Sequence, residues 1–195
     1  MAQKPTPLRE QTRSVVRSLL ARTAIDLFAT KGYDNTTLEE VAAAAGISRR
    51  TLFNYFGSKE DLALSGLAEQ GDLIAARLAE RPADEDAWTA LRAAFQVLEE
   101  IDMTPEARLE FITLLFGNDS LRAGHAEKQA RWQNLLAPLI EPRLPDSEHR
   151  TLQARAIAAA AITCLQVANE EWVRLDGQAD MLDLYDTAVQ AIHRP

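Results

Sequence analysis

The segment TTLEEVAAAAGISRRTLFNYFGSKEDL, Thr36–Leu62, leaves this chain few ways to fold. Thr36 and Thr37 each precede a glutamate by three residues, Glu39 and Glu40, so either pair can close a capping box and open a helix. That helix is short, about Thr37–Ala45, because Gly46 suits the left-handed backbone that ends it. Ser48 caps a second short helix, about Ser48–Phe56. Gly57 stops it, and Ser58 caps the next. Two short helices that cross at a glycine turn need small side chains at the crossing, and Ala42–Ala45 supply them. Ile47, Leu52 and Phe56 are spaced to pin the second helix onto a core.

The rest of the chain also reads as helix. Alanine and leucine abound, apolar residues recur at spacings of three and four, and strand-like alternation is absent. Over Arg9–Lys31, the residues Val16, Leu19, Leu20, Ala24, Leu27 and Phe28 share one face, while Arg9, Arg13 and Arg17 line another. Gly32 is the expected stop. Further helices are expected at about 58–80, 84–101, 105–116, 119–140, 147–175 and 179–192, with Asp84, Thr104 and Asp146 or Ser147 as caps and Pro82, Pro142, Pro145 and Gly177 at the joins. The expected fold is all-α: an N-terminal three-helix domain over residues 1–57 and a C-terminal helical domain over 58–195. Only about Met1–Leu8 is expected to be irregular.

With the inward residues assigned, Arg49, Arg50, Asn54 and Tyr55 are left to face outward. Arginine reads guanine O6 and N7 bidentately, and asparagine reads adenine N6 and N7. Tyr55 and Lys59 suit phosphate, as do the amides at the Thr36/Thr37 helix start. Helix, glycine turn, helix at this length is the helix-turn-helix, whose second helix enters the DNA major groove. The net charge of −8 seems to oppose nucleic acid, but it is unevenly placed: residues 1–60 hold nine Lys/Arg against six Asp/Glu, and residues 61–195 hold twelve against 23. A basic end rides on an acidic body.

The phrases LFATKGYDNTT, VAAAAGIS and TLFNYFGSKEDL stand at the order and spacing of the N-terminal domain of TetR-type transcriptional regulators, which the first 60 or so residues closely resemble. The resemblance implies an all-helical homodimer, with three helices as the DNA-binding head and about six as a ligand-binding and dimerisation body. It implies repression by default, relieved when a small molecule releases the protein from operator DNA. By position it assigns Thr37, Arg49, Arg50, Thr51, Phe53, Asn54, Tyr55 and Lys59 to the DNA-facing set. Phe53 stands where many relatives carry tyrosine, and its ring suits a thymine methyl. The Arg49–Arg50 pair predicts guanine in each half-site. Two-fold symmetry would set the two recognition helices one DNA turn apart, about 34–36 Å.

The body carries no comparable signature. Trp88, Phe95, Phe111, Phe116 and Trp132 are candidates to line an effector pocket, with Gln166, Asn169 and Glu170 as polar anchors. With no cationic or metal chemistry in view, the effector is expected to be uncharged or amphipathic and apolar. The last two helices are the usual dimer surface of the family resembled. There Ala154, Ala158, Ala161, Leu165 and Ala168 form a small-residue stripe that permits close approach, and Met181, Leu184, Ala188 and Ile192 form the apolar side of the final helix. Burial inside the monomer is the competing reading for both stripes.

An enzyme is not expected. His125, His149 and His193 form no metal-ligand pair, no glycine-rich phosphate loop or G-x-S-x-G is present, and Cys164 reads as a core thiol, too solitary for an internal disulfide. No metal or cofactor is expected. The polar N-terminus lacks an apolar signal core, and the greasiest run, Ala156–Ala168, is shorter than the roughly 20 residues that cross a bilayer, so a cytoplasmic protein is expected. A transcriptional activator, an effector-independent regulator and a helical scaffold without specific DNA binding are the alternatives.

Overall fold

The computed structural model describes residues 8–101 and 103–193, with residues 8–11 and 14 as backbone alone. Met1–Pro7 and the side chain of Arg9 lie outside the described residues. Ten α-helices run through them: α1 Leu8–Lys31, α2 Leu38–Ala44, α3 Arg49–Phe53, α4 Lys59–Ala63, α5 Ser65–Glu80, α6 Ala87–Phe95, α7 Pro105–Gly117, α8 Asp119–Ile140, α9 Arg150–Arg174 and α10 Met181–Ile192. The chain divides into two units, Met1–Gly66 and Leu67–Pro195. The division falls beyond the expected 57/58 boundary because α4 packs on α1 and so belongs with the first unit.

In the first unit α1 is the brace. Leu20, Ala24, Ile25 and Phe28 are buried, with Val41 and Ala42 of α2, Leu52 of α3, Phe56, and Leu62 of α4. Of the expected crossing residues Ala42–Ala45 only Ala42 is buried, beside Val41; Ala45 is half-buried, and Ala43 and Ala44 face outward. Leu19, expected on the inward face of α1, is 62% exposed, because its position falls beyond the arc that α2 and α4 cover. Gly32 and Gly46 take φ of +84° and +68°, the left-handed conformation that closes α1 and α2. The expected helix over 58–80 is broken at Leu64 (φ −94°, ψ 3°), which caps α4 and separates it from α5.

In the second unit α9 is the central element, packed along α8 and α10 and touching α6 and α7. Ala154, Ala158, Ala161 and Ala168 are each no more than 1% exposed within the single chain. The small-residue stripe expected at the dimer surface is therefore spent inside the unit, where it lets α8 and α10 lie close. Leu165 is buried too, and Leu184 and Ala188 of α10 are half-buried. The large apolar residues that α9 leaves exposed are on its other side, Leu152 at 63% and Val167 at 49%. At 25 residues α9 is long and apolar enough to span a membrane by composition, but its alanine side forms the core of this unit.

Side-chain caps set the starts of several helices, but not of α9, which begins at Arg150 after His149 with no side-chain cap, later than the expected Asp146 or Ser147. Asn118, Asp180, Thr104 and Asp86 each accept from backbone amides of the first turn. Asp86 takes the role expected of Asp84, because α6 starts later than the pattern suggested. Asp180 caps α10, and Asp186 holds Arg92 at 2.7 Å.

Candidate DNA interface and ligand cavity

The third helix is built to hold a short exposed surface rigidly. Ser48 caps it, its Oγ accepting from the Thr51 amide at 3.1 Å and lying 2.8 Å from the Thr51 hydroxyl. Leu52 and Phe56 are buried beneath it, and Ile47 is half-buried. A helix of five residues is far below the length that is stable alone in water, so its conformation depends on what grips its ends. The far end is gripped by α1. Arg13 donates to the Asn54 carbonyl at 3.0 Å, and Arg17 donates to the Tyr55 carbonyl. The Arg13 guanidinium also stands 5.5 Å from the Tyr55 ring centre and that of Arg17 4.4 Å from the Phe56 ring centre. These arginines, read from sequence only as one face of a helix, are the cations expected where the dipole of α3 ends negative.

Arg50, Phe53 and Asn54 are exposed on the outer side of α3. Arg50 is paired with no other described residue. Arg49 reaches back to Glu39 of α2 at 2.6 Å and covers the Phe53 ring at 5.2 Å. Thr37 is exposed at the start of α2 and closes the capping box with Glu40: its amide donates to Glu40 at 2.9 Å and its Oγ1 accepts from the Glu40 amide at 3.2 Å. The Lys31 ammonium on Glu40, followed by the Thr37 bonds, pulls that carboxyl down to about 2. Thr36 does not cap. It is buried and donates to the Gly32 carbonyl. Lys59, expected to face phosphate, is half-buried, donates to the Tyr33 carbonyl and sits 4.1 Å from the Tyr33 ring centre. The structure thus brings Thr37, Arg49, Arg50, Phe53 and Asn54 to the surface of this unit. It holds Thr51, Tyr55 and Lys59 in part through internal contacts.

The second unit contains a cavity of about 840 Å³, counting its open mouth. Phe95, Phe111, Phe116, Trp132, Gln166 and Asn169 line it as expected, and so do Leu165 and Met181, which the sequence reading had placed at a dimer surface. Trp88 does not. It stacks on His193, 5.2 Å between ring centres. Trp132 is fixed by a 2.9 Å hydrogen bond to the Leu67 carbonyl of α5. Asn169 is turned onto its own helix, donating to the Leu165 carbonyl, and Gln166 donates to Glu170.

Five polar residues that line the cavity, Gln70, Glu99, Arg108, His125 and Gln129, are not among the expected anchors, and two of them are buried or half-buried ionisable groups. His125 is only 8% exposed and packs edge-on to Phe116. Burial pushes its pKa below the ordinary value, the nearby Glu170 charge opposing. Arg108 lines the cavity half-buried and donates to the Leu98 carbonyl. Signals existed for both: His125 lies four residues beyond Leu121 and seven before Trp132, and Arg108 lies three, four and seven before Phe111, Ile112 and Leu115, all on inward helical spacings.

Comparison with known proteins gives a family for each part of the chain. The model described as bacterial regulatory proteins, tetR family, matches residues 20–65, and that described as the MftR C-terminal domain matches residues 85–195. The chain belongs to the TetR family of bacterial transcriptional regulators. It is therefore a DNA-binding regulator and not an enzyme. Among curated proteins it is 27% identical to the HTH-type transcriptional regulator TcmR of Streptomyces glaucescens, over 95% of this chain and 86% of that one. A TetR-family regulator from Mesorhizobium loti shares the fold with a TM-score of 0.61 at 22% identity, over 92% of this chain and 95% of that one. FadR of Thermus thermophilus, solved in complex with lauroyl-CoA, does so with 0.57 at 23% identity, over 92% and 96%.

Proposed function

We propose that this regulator is a cytoplasmic homodimeric repressor that reads operator DNA with α3 and leaves it when a small amphipathic molecule fills the cavity of the second unit. The observation that carries the reading is the pairing of an outward face, Arg49, Arg50, Phe53 and Asn54, with a backbone clamped from behind by Arg13 and Arg17. A base-reading helix must present its side chains in one geometry before it meets DNA, and the clamp supplies that order. Support for a ligand comes from the cavity and from the lauroyl-CoA held by FadR of the same fold. A ligand acts only through its differential affinity for the DNA-competent and DNA-incompetent states.

The dimer surface we favour is the exposed side of α9, with Leu152 and Val167. It replaces the alanine stripe, which is occupied internally.

The reading is tested by fluorescence anisotropy on duplexes flanking the regulator's own gene, at physiological salt with excess random DNA. Binding is expected to survive the competitor. Each good bidentate base contact contributes about 1–3 kcal/mol of discrimination, so the Arg49→Ala/Arg50→Ala variant is expected to lose at least tenfold in operator affinity. Retained affinity in that variant would remove α3 from base reading. A promoter–reporter fusion compared with and without the regulator then separates repression from activation.

A further inference from the structure

The cavity is apolar over most of its wall, yet it holds a guanidinium. We infer that its ligand is an amphipathic carboxylate, an apolar body ending in one anionic head, and that Arg108 binds that head. This inference rests on the reading of the cavity as the effector site.

The argument begins with what Arg108 lacks. A guanidinium carries five N–H donors. Among the described residues Arg108 has one acceptor, the Leu98 carbonyl, and no carboxylate within ion-pair distance. Glu99 also lines the cavity and its charge is felt by Arg108, but it is exposed and the two form no ion pair, so the other guanidinium N–H donors stay open to a ligand. Desolvation is the main influence on Arg108, which nonetheless stays a cation, since arginine does not lose its proton in proteins. Half-burying a cation beside Phe111, Ile112 and Leu115 costs free energy that one carbonyl does not return. Arg92 and Arg131, by contrast, each reach a carboxylate, Asp186 and Asp72. A carboxylate of the ligand supplies the missing acceptor in the bidentate geometry that guanidinium favours.

The rest of the wall selects the body of the molecule. Phe95, Phe116, Leu115 and Trp132 offer apolar contact, and His125, held neutral by burial, adds no second cation to attract a dianion. One head and one apolar body follow. An alkyl chain and a fused or linked aromatic body share this chemistry.

Ligand binding is read directly on the purified protein without DNA, by calorimetry and by tryptophan fluorescence, because Trp132 lines the cavity. Decanoate is compared with decanol, and biphenyl-4-carboxylate with biphenyl-4-methanol. Arg108→Gln and Arg108→Lys are compared with the wild type, circular dichroism confirming their fold. We expect at least one acid to bind ten or more times more tightly than its alcohol, Arg108→Gln to abolish that preference while keeping the alcohol's affinity, and Arg108→Lys to keep part of it. The relative response to the two acids tells the alkyl from the aromatic body. Equal affinity for acid and alcohol, a preference that survives Arg108→Gln, or binding of lauroyl-CoA alone with no dependence on Arg108 would each overturn the inference. Operator release is scored separately: an acid that binds through Arg108 but leaves DNA binding unchanged sustains this inference and refutes the effector role proposed above.

Discussion

Gly71 is the residue that most narrowly permits the cavity wall. A Cβ there would stand 2.3 Å from the Trp132 indole, closer than any non-bonded carbon tolerates. The glycine lets the indole lie across α5 and reach the Leu67 carbonyl, so one missing methyl group fixes both a wall of the cavity and its attachment to α5. Overpacking of this kind costs about 1–3 kcal/mol. Gly71→Ala is expected to lower stability by that amount in a urea titration and to shift the emission of Trp132 to longer wavelength as its indole is displaced. An unchanged spectrum and midpoint would show that the indole has room to move. Nothing in the sequence near Gly71 announces this, because the residue it serves lies 61 positions further on. Helical glycine reads locally as a weakness.

At the scale of elements, local signals and tertiary signals part company. The capping box of Thr37, the Ser48 cap, Gly32 and Gly46 are each written within a few residues, and the structure places all four as the sequence predicts. The inward residues Leu52 and Phe56 follow from spacing alone. The break of the fourth helix at Leu64 does not, since LALSGL contains no proline and its only glycine, Gly66, lies after the break. The aromatic residues split in the same way: periodicity shows that Phe95 and Trp132 point inward, but only the packed bundle shows that Trp88 turns instead to His193. The clamp on α3 was equally hidden, because the partners of Arg13 and Arg17 are backbone carbonyls, which every sequence has. It carries a sharp expectation. A hydrogen bond to a charged donor contributes about 1.5–3 kcal/mol. Arg17→Ala is expected to lower the thermal midpoint of the protein and weaken operator binding together, whereas Arg50→Ala, a surface change, should weaken operator binding with the midpoint nearly constant. Calorimetric melts beside anisotropy titrations separate the two, and a normal melt for Arg17→Ala would deny α1 this role.

At the scale of the whole molecule, the distribution of charge is the legible part: a basic head and an acidic body can be counted along the chain. The dimer surface was not legible. An apolar helix offers two sides, and periodicity reveals both without saying which one a neighbour takes. The alanine side of α9 was the obvious choice for close approach, and for that reason the fold itself used it. If Leu152 and Val167 make the contact between copies, placing a glutamate at each should yield a folded monomer with weakened operator binding, seen by analytical ultracentrifugation and anisotropy. Ala161→Glu, by contrast, buries an unpaired charge and should disrupt the second unit outright. A double variant of Leu152 and Val167 that remained dimeric would send the interface elsewhere.

The grip of Arg13 and Arg17 on α3 has one more consequence. Because it closes on main-chain oxygens, it is blind to the identity of the side chains those residues carry. Positions 54 and 50 are exposed, and the hydrogen bonds that hold them here use main-chain atoms: the Asn54 carbonyl accepts from Arg13, and its amide donates to the Arg50 and Thr51 carbonyls. Both can be randomised without unpicking the scaffold. The head is therefore a natural chassis for engineered readers: a library at those two positions can be sorted for new operators, and if the cavity takes the effector proposed above, that response lies in another unit of the chain and is left untouched.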